Sequence, residues 1–286
     1  MEKCTSLPKS LFAFRGPNIY EISREKKSAA IQWYLDILPS LMPIDFALNR
    51  PCIWHPDLHE DNIFVNPSNP TEITSIIDWQ STQVAPMFSQ ARQPYFLDYE
   101  GPQSLSIEKP ELPDNFEQLS DVEQRIAKVL LFKQALLAAY RRWHSLKNSD
   151  IWKCFEFQAT SQEALLVTAR KLFNDGEATY RAAVIDIAQN EPEVLGQAGE
   201  KLLSSLGSKG LSRIRGDVED AMRARELMEV VLEAVGSIDP KSGFVHHEDY
   251  EQVKDGLSQL KEQIVGEYAR TEEERARWEE AWPFDD

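Results

Sequence analysis

The stretch His55-Pro56-Asp57-Leu58-His59-Glu60-Asp61-Asn62, followed by Ile76-Ile77-Asp78-Trp79, decides how this chain is read. Asp57 stands where an acceptor hydroxyl can be held, and Asn62, five residues on, can reach a magnesium ion. Asp78, after an apolar run, can reach the same metal. One hydroxyl-orienting acid and two oxygen donors at this spacing suit phosphoryl transfer, which asks a protein mainly for positioning and charge neutralisation. Hard oxygen ligands are those Mg2+ prefers. In this reading His55 fixes the loop backbone rather than reacting, and Leu58 anchors the loop in the core below.

The flanking pattern places these residues on elements. Ile31, Tyr34, Leu35, Leu38 and Leu41 recur at three and four, predicting an amphipathic helix over 28–41 that Pro43 ends. Cys52-Ile53-Trp54 is a short apolar run into His55. Ile63-Phe64-Val65 and 73–77 read as two strands joined by the turn formers Asn66-Pro67-Ser68-Asn69-Pro70, a hairpin with Asn62 at one end and Asp78 at the other. Residues 81–119 are rich in proline and read as a long irregular segment. Ser120 and Glu123 make a capping-box pattern that opens a helix over 121–147, with Ile126, Val129, Leu130, Leu137 and Tyr140 on its apolar face. Further helices are expected at 161–174, 177–189, 217–235 and 248–281, broken by Gly176, Pro192, Gly207, Gly210 and the Gly236 to Gly243 loop.

Composition bounds the class. The chain has 286 residues, 42% hydrophobic and 27% charged, as in a soluble globular protein with a real core. A formal charge of -16 argues against a nucleic-acid partner, since phosphate binding needs clustered Lys and Arg. An acidic balance would suit a cationic substrate, or it simply serves solubility. Three cysteines, Cys4, Cys52 and Cys154, are too scattered for a disulfide framework or a zinc site. No apolar run reaches membrane-span length. Lys3, Lys9 and Arg15 among serines resemble a transit peptide, against which stand Glu2, Pro8 and Pro17.

Other readings of the same residues stay open. A strand over 55–59 would put His55, Asp57 and His59 on one side, as ligands of a metal-dependent hydrolase. That leaves Asn62 and the Ile-Asp-Trp segment without a role. His246-His247 reads as a polar loop or helix start. Gly207-Ser208-Lys209-Gly210 lacks the spacing and preceding strand of a phosphate loop and reads as a turn. Arg141-Arg142 are expected to serve the end of the 121–147 helix through its dipole. Trp152, Phe155 and Phe157 read as core, and the acidic tail as a solvated helix that Trp278, Trp282 and Phe284 could dock.

The loop residues resemble the catalytic and metal loops of the kinase-like superfamily, in its aminoglycoside phosphotransferase branch, which reads His-Gly-Asp-x-x-x-x-Asn and then Ile-Asp-Trp or Ile-Asp-Phe. Here Pro56 replaces the glycine and Trp79-Gln80 stands where protein kinases carry Phe-Gly. Trp54 to His59, Ile77 to Thr82, Ala91-Arg92-Gln93-Pro94-Tyr95 and Trp278 to Phe284 further resemble fungal phosphotransferase-family proteins of the altered-inheritance-of-mitochondria type. The resemblance covers about residues 28–286. It implies an α+β fold: a protein-kinase-like C-terminal lobe, mostly helical, with a small β-hairpin bearing the site. Residues 1–20 would be an irregular lead-in and 21–286 the lobe with a helical C-terminal extension.

The same resemblance implies Asp57 as the catalytic residue, Asn62 and Asp78 as metal ligands, and Mg2+ with ATP as cofactors. It further implies an unidentified small-molecule hydroxyl as acceptor and a mitochondrial location, with the cytoplasm as the alternative. The family sets a Gly-rich loop, a strand Lys and a helix Glu ahead of the catalytic loop, and residues 1–54 supply none of them: Gly16 is the only glycine there. The expectation is therefore a shortened phosphotransferase without its nucleotide-binding N-lobe, weak or inactive as this chain, or else a non-catalytic, pseudokinase-like binding module.

Overall fold

A computed structural model describes residues 16–284 apart from Asn18, Glu21, 101–105, Asp175 and 240–242. The cationic positions Lys3, Lys9 and Arg15, Cys4, and most of the 1–20 lead-in lie outside the described residues. The chain is a mostly helical α+β protein. It divides into two compact units, one built from the sequence before Pro43 together with that after Thr160, the other from Pro43–Thr160.

Helix α1 (Arg24–Leu41) begins where the Ser23 hydroxyl accepts from the Lys26 N–H, satisfying one of the free donors of its first turn. Within Pro43–Thr160 follow a helical turn α2 (Phe46–Asn49), strand β1 (Pro51–Ile53), strands β2 (Ile63–Asn66) and β3 (Asn69–Ile76), and strand β4 (Val84–Pro86). Then come a short helix α3 (Met87–Gln90) and the long helices α4 (Asp121–Lys147) and α5 (Ser149–Gln158). β1 pairs antiparallel with β4, and β2 with β3 as a bulged hairpin in which Ile63 faces Ile76. β3 starts at Asn69, earlier than the apolar pattern indicates. In a two-stranded ribbon Pro70 forfeits no ladder bond to a further neighbour.

Helix α4 begins as its cap predicts: Ser120 accepts from the Glu123 N–H, and Glu123 accepts from the Ser120 N–H at 2.8 Å. Its apolar face is buried only in part. Leu137 is buried, with Leu130 and Tyr140 packed beside Leu97 and Tyr99, whereas Ile126 and Val129 stay exposed and line, with Leu130 and Tyr99, a cavity of about 620 Å³. Arg141 does not serve the helix end. It lies nearly two turns before Lys147, is buried, and donates from Nη2 to Gln93 Oε1 at 3.0 Å. Phe155 and Phe157 are buried, and Phe157 meets Phe88 edge to face at 5.3 Å. The Cys52 and Cys154 thiols are free, and burial pushes the Cys154 thiol up to about 12.

The other unit adds α6 (Ser161–Ala169), continued by a 3-10 turn at Arg170–Phe173, then α7 (Glu177–Asn190), α8 (Pro192–Val235), α9 (Tyr250–Tyr268) and α10 (Glu272–Ala281). Two sequence expectations are corrected here. Helix α8 starts at Pro192 and runs past Gly210, its breaks being left-handed residues at Gly196 and Gly207. The run expected as one helix over 248–281 is two, because Thr271 accepts from the Glu274 N–H and starts α10 afresh. The main core joins Ala30, Ile37 and Leu41 of α1 to Leu165, Tyr180, Val184, Leu195 and Ile214. A second cluster buries Trp278 and Trp282 against Met228, Val231, Ile264 and Val265, so the acidic tail is docked by its aromatics. Gly16 lies against the Trp278 ring so closely that a Cβ there would sit 2.3 Å from it.

Candidate functional site

The site lies wholly within Pro43–Thr160. Strand β1 delivers the chain to His55, whose ring is buried at 7% exposure. Its Nδ1 accepts from the Asp57 N–H at 3.2 Å, which leaves Nε2 to carry the proton and donate to the Ile77 carbonyl at 2.8 Å. The Trp79 ring stands edge-on to His55 at 4.7 Å, pinned by its Nε1–H to the Ile76 carbonyl at 3.0 Å. One imidazole therefore ties the 55–62 loop to the segment carrying Asp78.

Residues 56–57 form a turn and Glu60–Asn62 a 3-10 turn, so 55–59 is not the extended strand that would put His55, Asp57 and His59 on one face. Among the described residues no group of three or more His, Cys, Asp and Glu is arranged to hold a metal. Asn62 is buried, and its Nδ2 donates to the Asp57 carbonyl at 2.9 Å and faces His59 Nε2 at 3.1 Å. Since the Asp57 carbonyl can only accept, the amide nitrogen must point inward, and His59 Nε2 is an acceptor. The approach of that same nitrogen to Asp57 Oδ2 at 3.6 Å is then no ion pair in the neutral tautomer. The donor side of Asn62 is spent on the loop, and Oδ1 is the side a cation can use.

The Asn62 carbonyl in turn accepts from the Ile77 N–H at 3.0 Å, one residue before Asp78. Asp78 has φ 61°, a left-handed conformation uncommon outside glycine though best tolerated by Asn and Asp. Its carboxylate and that of Asp57 are exposed, the latter side chain to 55%. Leu58 is half-buried rather than set in a core, and its carbonyl accepts from the Tyr95 N–H at 2.9 Å.

Sequence reasoning missed the wall beside the loop. Trp54, His55 and Leu58 line a cavity of about 270 Å³ with Arg92, Gln93, Pro94, Tyr95 and Tyr140. The Arg92 guanidinium lies 4.5 Å from the centre of the Tyr95 ring. Burial raises the Tyr140 phenol above its ordinary value and keeps it a neutral donor. The signal was present in the Ala91-Arg92-Gln93-Pro94-Tyr95 phrase, whose bearing on the site shows only once the Leu58–Tyr95 bond folds it back.

Residues 18–89 match the model of the phosphotransferase enzyme family, a stretch that takes in α1, the 55–62 loop and Asp78. The chain is also similar to a subtelomeric hrmA-associated cluster protein of Aspergillus fumigatus, with 24% identity over 281 residues in each of two strains. That alignment covers 98% of this chain and 54% of the relative, so the chain spans about half the length of the curated relatives it matches. No solved structure matches it. Among the described residues no helix is long and apolar enough to cross a membrane.

Proposed function

We propose that this chain carries the catalytic and metal loops of an ATP- and Mg2+-dependent small-molecule phosphotransferase, as the C-lobe part of a kinase-like enzyme. The observation that carries the reading is the lock between the two loops: His55 Nε2 on the Ile77 carbonyl at 2.8 Å, with the Asn62 donor side held by the Asp57 carbonyl at 2.9 Å. That lock presents an acid, a carboxamide oxygen and a second acid from one small region. Asp57 orients the acceptor hydroxyl and takes its proton as the new O–P bond to the γ-phosphoryl group forms and the bond from that phosphorus to the bridging oxygen breaks, releasing ADP; the proton then passes to solvent. The donor set of Asn62 Oδ1 and the Asp78 carboxylate fits Mg2+, which when bound would neutralise the nucleotide phosphates.

A second reading rests on residues 16–54. The one lysine pair there lies on α1, not on a strand, and Lys26 Nζ is held by Asp217 at 2.9 Å. Gly16 is filled by Trp278 rather than forming a phosphate-cradling turn. The 286 residues alone are therefore expected to turn over ATP weakly or not at all, acting as a binding module unless further sequence supplies the nucleotide lobe. A mitochondrial setting is part of the proposal, and imaging of the tagged native protein tests it.

The decisive experiment assays Mg2+-dependent phosphate transfer from ATP to a metabolite library, using the longest native form and the 286-residue chain in parallel. Activity in the longer form that Asp57→Ala lowers by about 10²–10⁴ supports the assignment. Activity insensitive to Asp57→Ala, or metal dependence unchanged by Asn62→Ala and Asp78→Ala, overturns the roles. A longer form that binds nucleotide but transfers nothing favours the non-catalytic module.

A further inference from the structure

The cavity of about 620 Å³ beside α4 is one that none of the proposed loop chemistry uses. Its size is that of a small-molecule site, a cleft lined mostly by apolar groups with a few placed polar ones. One wall is a stripe of α4. Ile126, Val129 and Leu130 lie within the stripe, and Arg125 and Lys133 stand at its two ends, about 12 Å apart along the axis at the helical rise per residue. The other wall is Asp98, Tyr99 and Glu100, with the Tyr99 side chain buried and both carboxylates exposed.

Two bases and two acids thus line one cavity without closing on each other. Among the described residues the side chains of Arg125, Lys133 and Glu100 make no hydrogen bond, ion pair or ring contact. Asp98 is held by a neutral group, its Oδ1 accepting from Gln93 Nε2 at 2.7 Å. Between the charges lies an apolar floor that is left to water, with Ile126 at 62% and Val129 at 58% exposure. Covering such a floor is favourable in proportion to the apolar area removed from water.

We propose that this cavity binds a small amphipathic zwitterion, an apolar body with an ammonium group at one end and a carboxylate or comparable anion at the other. The body covers Ile126, Val129 and Leu130, the anion meets Arg125 or Lys133, and the ammonium meets the carboxylates of Asp98 and Glu100. A purely anionic amphiphile faces those two acids, and a purely cationic one faces the two bases. A molecule with both charges has each of them in attractive contact. A polycation is not favoured here although the chain carries -16 overall, because the cavity itself has as many bases as acids. The position also touches the loop site. Gln93 borders the smaller cavity beside the 55–62 loop and accepts from Arg141 Nη2 at 3.0 Å. An ammonium on Asp98 shares that carboxylate with the Gln93 amide, which puts the bound molecule one hydrogen bond from the loop wall.

The test is titration calorimetry of the 286-residue chain with ω-aminooctanoate, and with octanoate and octylamine as its singly charged counterparts. The expected result is saturable binding at one site per chain, with the zwitterion about fivefold tighter than either counterpart. Arg125→Ala/Lys133→Ala should cost the zwitterion about fivefold and leave octylamine no weaker, while Asp98→Asn/Glu100→Gln should do the same and leave octanoate no weaker. Ile126→Gln/Val129→Gln removes the apolar floor at good helix-forming cost and should abolish binding of all three, with helix content by circular dichroism retained. Phe132→Gln changes an exposed apolar side chain of the same helix outside the cavity and should leave binding as it was. No saturable binding of ω-aminooctanoate overturns the proposal, as does equal affinity for all three probes. Binding that survives Ile126→Gln/Val129→Gln, or that Phe132→Gln removes, marks adsorption on exposed apolar surface and equally overturns it.

Discussion

At the scale of single residues, the site is built from groups whose side chains and backbones are used for different purposes. Asp57 is anchored by its N–H and carbonyl, through His55 Nδ1 and Asn62 Nδ2, while its carboxylate stays in solvent. Asp78 accepts a left-handed backbone at φ 61°. The left-handed region costs an L-residue about 1–2 kcal/mol, whereas replacing it by glycine adds about 0.4–1 kcal/mol of unfolded-chain entropy to overcome. The first term wins: Asp78→Gly should raise stability in urea by about 0.5–1 kcal/mol while removing a proposed metal ligand. Asp78→Ala keeps the strained backbone and should give no gain. A destabilised Asp78→Gly protein would show that the carboxylate itself supports the fold. The sequence made the identities of Asp57, Asn62 and Asp78 legible, because spacing is a property of the chain. It could not give the amide orientation of Asn62 or the positive φ of Asp78, which depend on partners at Asp57 and Ile77.

At the scale of elements, legibility followed how local the cause is. The start of α4 was readable because Ser120 and Glu123 satisfy each other three residues apart. The restart at Thr271 has the same physics and was hidden by a long polar run without an apolar phase to interrupt. The glycines of α8 show why composition alone misplaces breaks. Gly207 has φ 59°, so it does bend the helix; Gly210 and Gly216 lie in ordinary helical turns. A Cβ at Gly207 or Gly216 would meet nothing within 4 Å, so packing is removed from the comparison and backbone preference alone decides. Gly216→Ala should stabilise the protein by roughly 0.5–1 kcal/mol, the usual helix-interior difference. Gly207→Ala should cost about 1–2 kcal/mol by forcing an alanine into the left-handed region. Thermal unfolding of the two variants checks the opposite signs, and a gain at both positions would mean that the bend at Gly207 is not required.

At the scale of the whole molecule, the chain interrupts one unit with another: α1 is separated from its packing partners α6, α7 and α8 by the entire 43–160 segment. No local pattern could reveal this, since the periodicity of 28–41 shows that a face is buried and not against what. Ile37 is fully buried on that face, and Ile37→Ala should cost roughly 2–5 kcal/mol through lost burial and the cavity left behind. If each unit is its own cooperative block, the penalty falls on one of them. Hydrogen exchange should then quicken in α1, α7 and the part of α8 around Leu195 and Leu202. The β2–β3 hairpin and the 55–62 loop should keep their wild-type protection, because their bonds, from His55 to Ile77 and from Tyr95 to Leu58, close within 43–160. Equal acceleration in both regions would make the protein a single cooperative block. Selective acceleration would mean that the candidate site owes its geometry to the inserted segment alone, while the long-range helical core serves to hold the two ends of that insertion together.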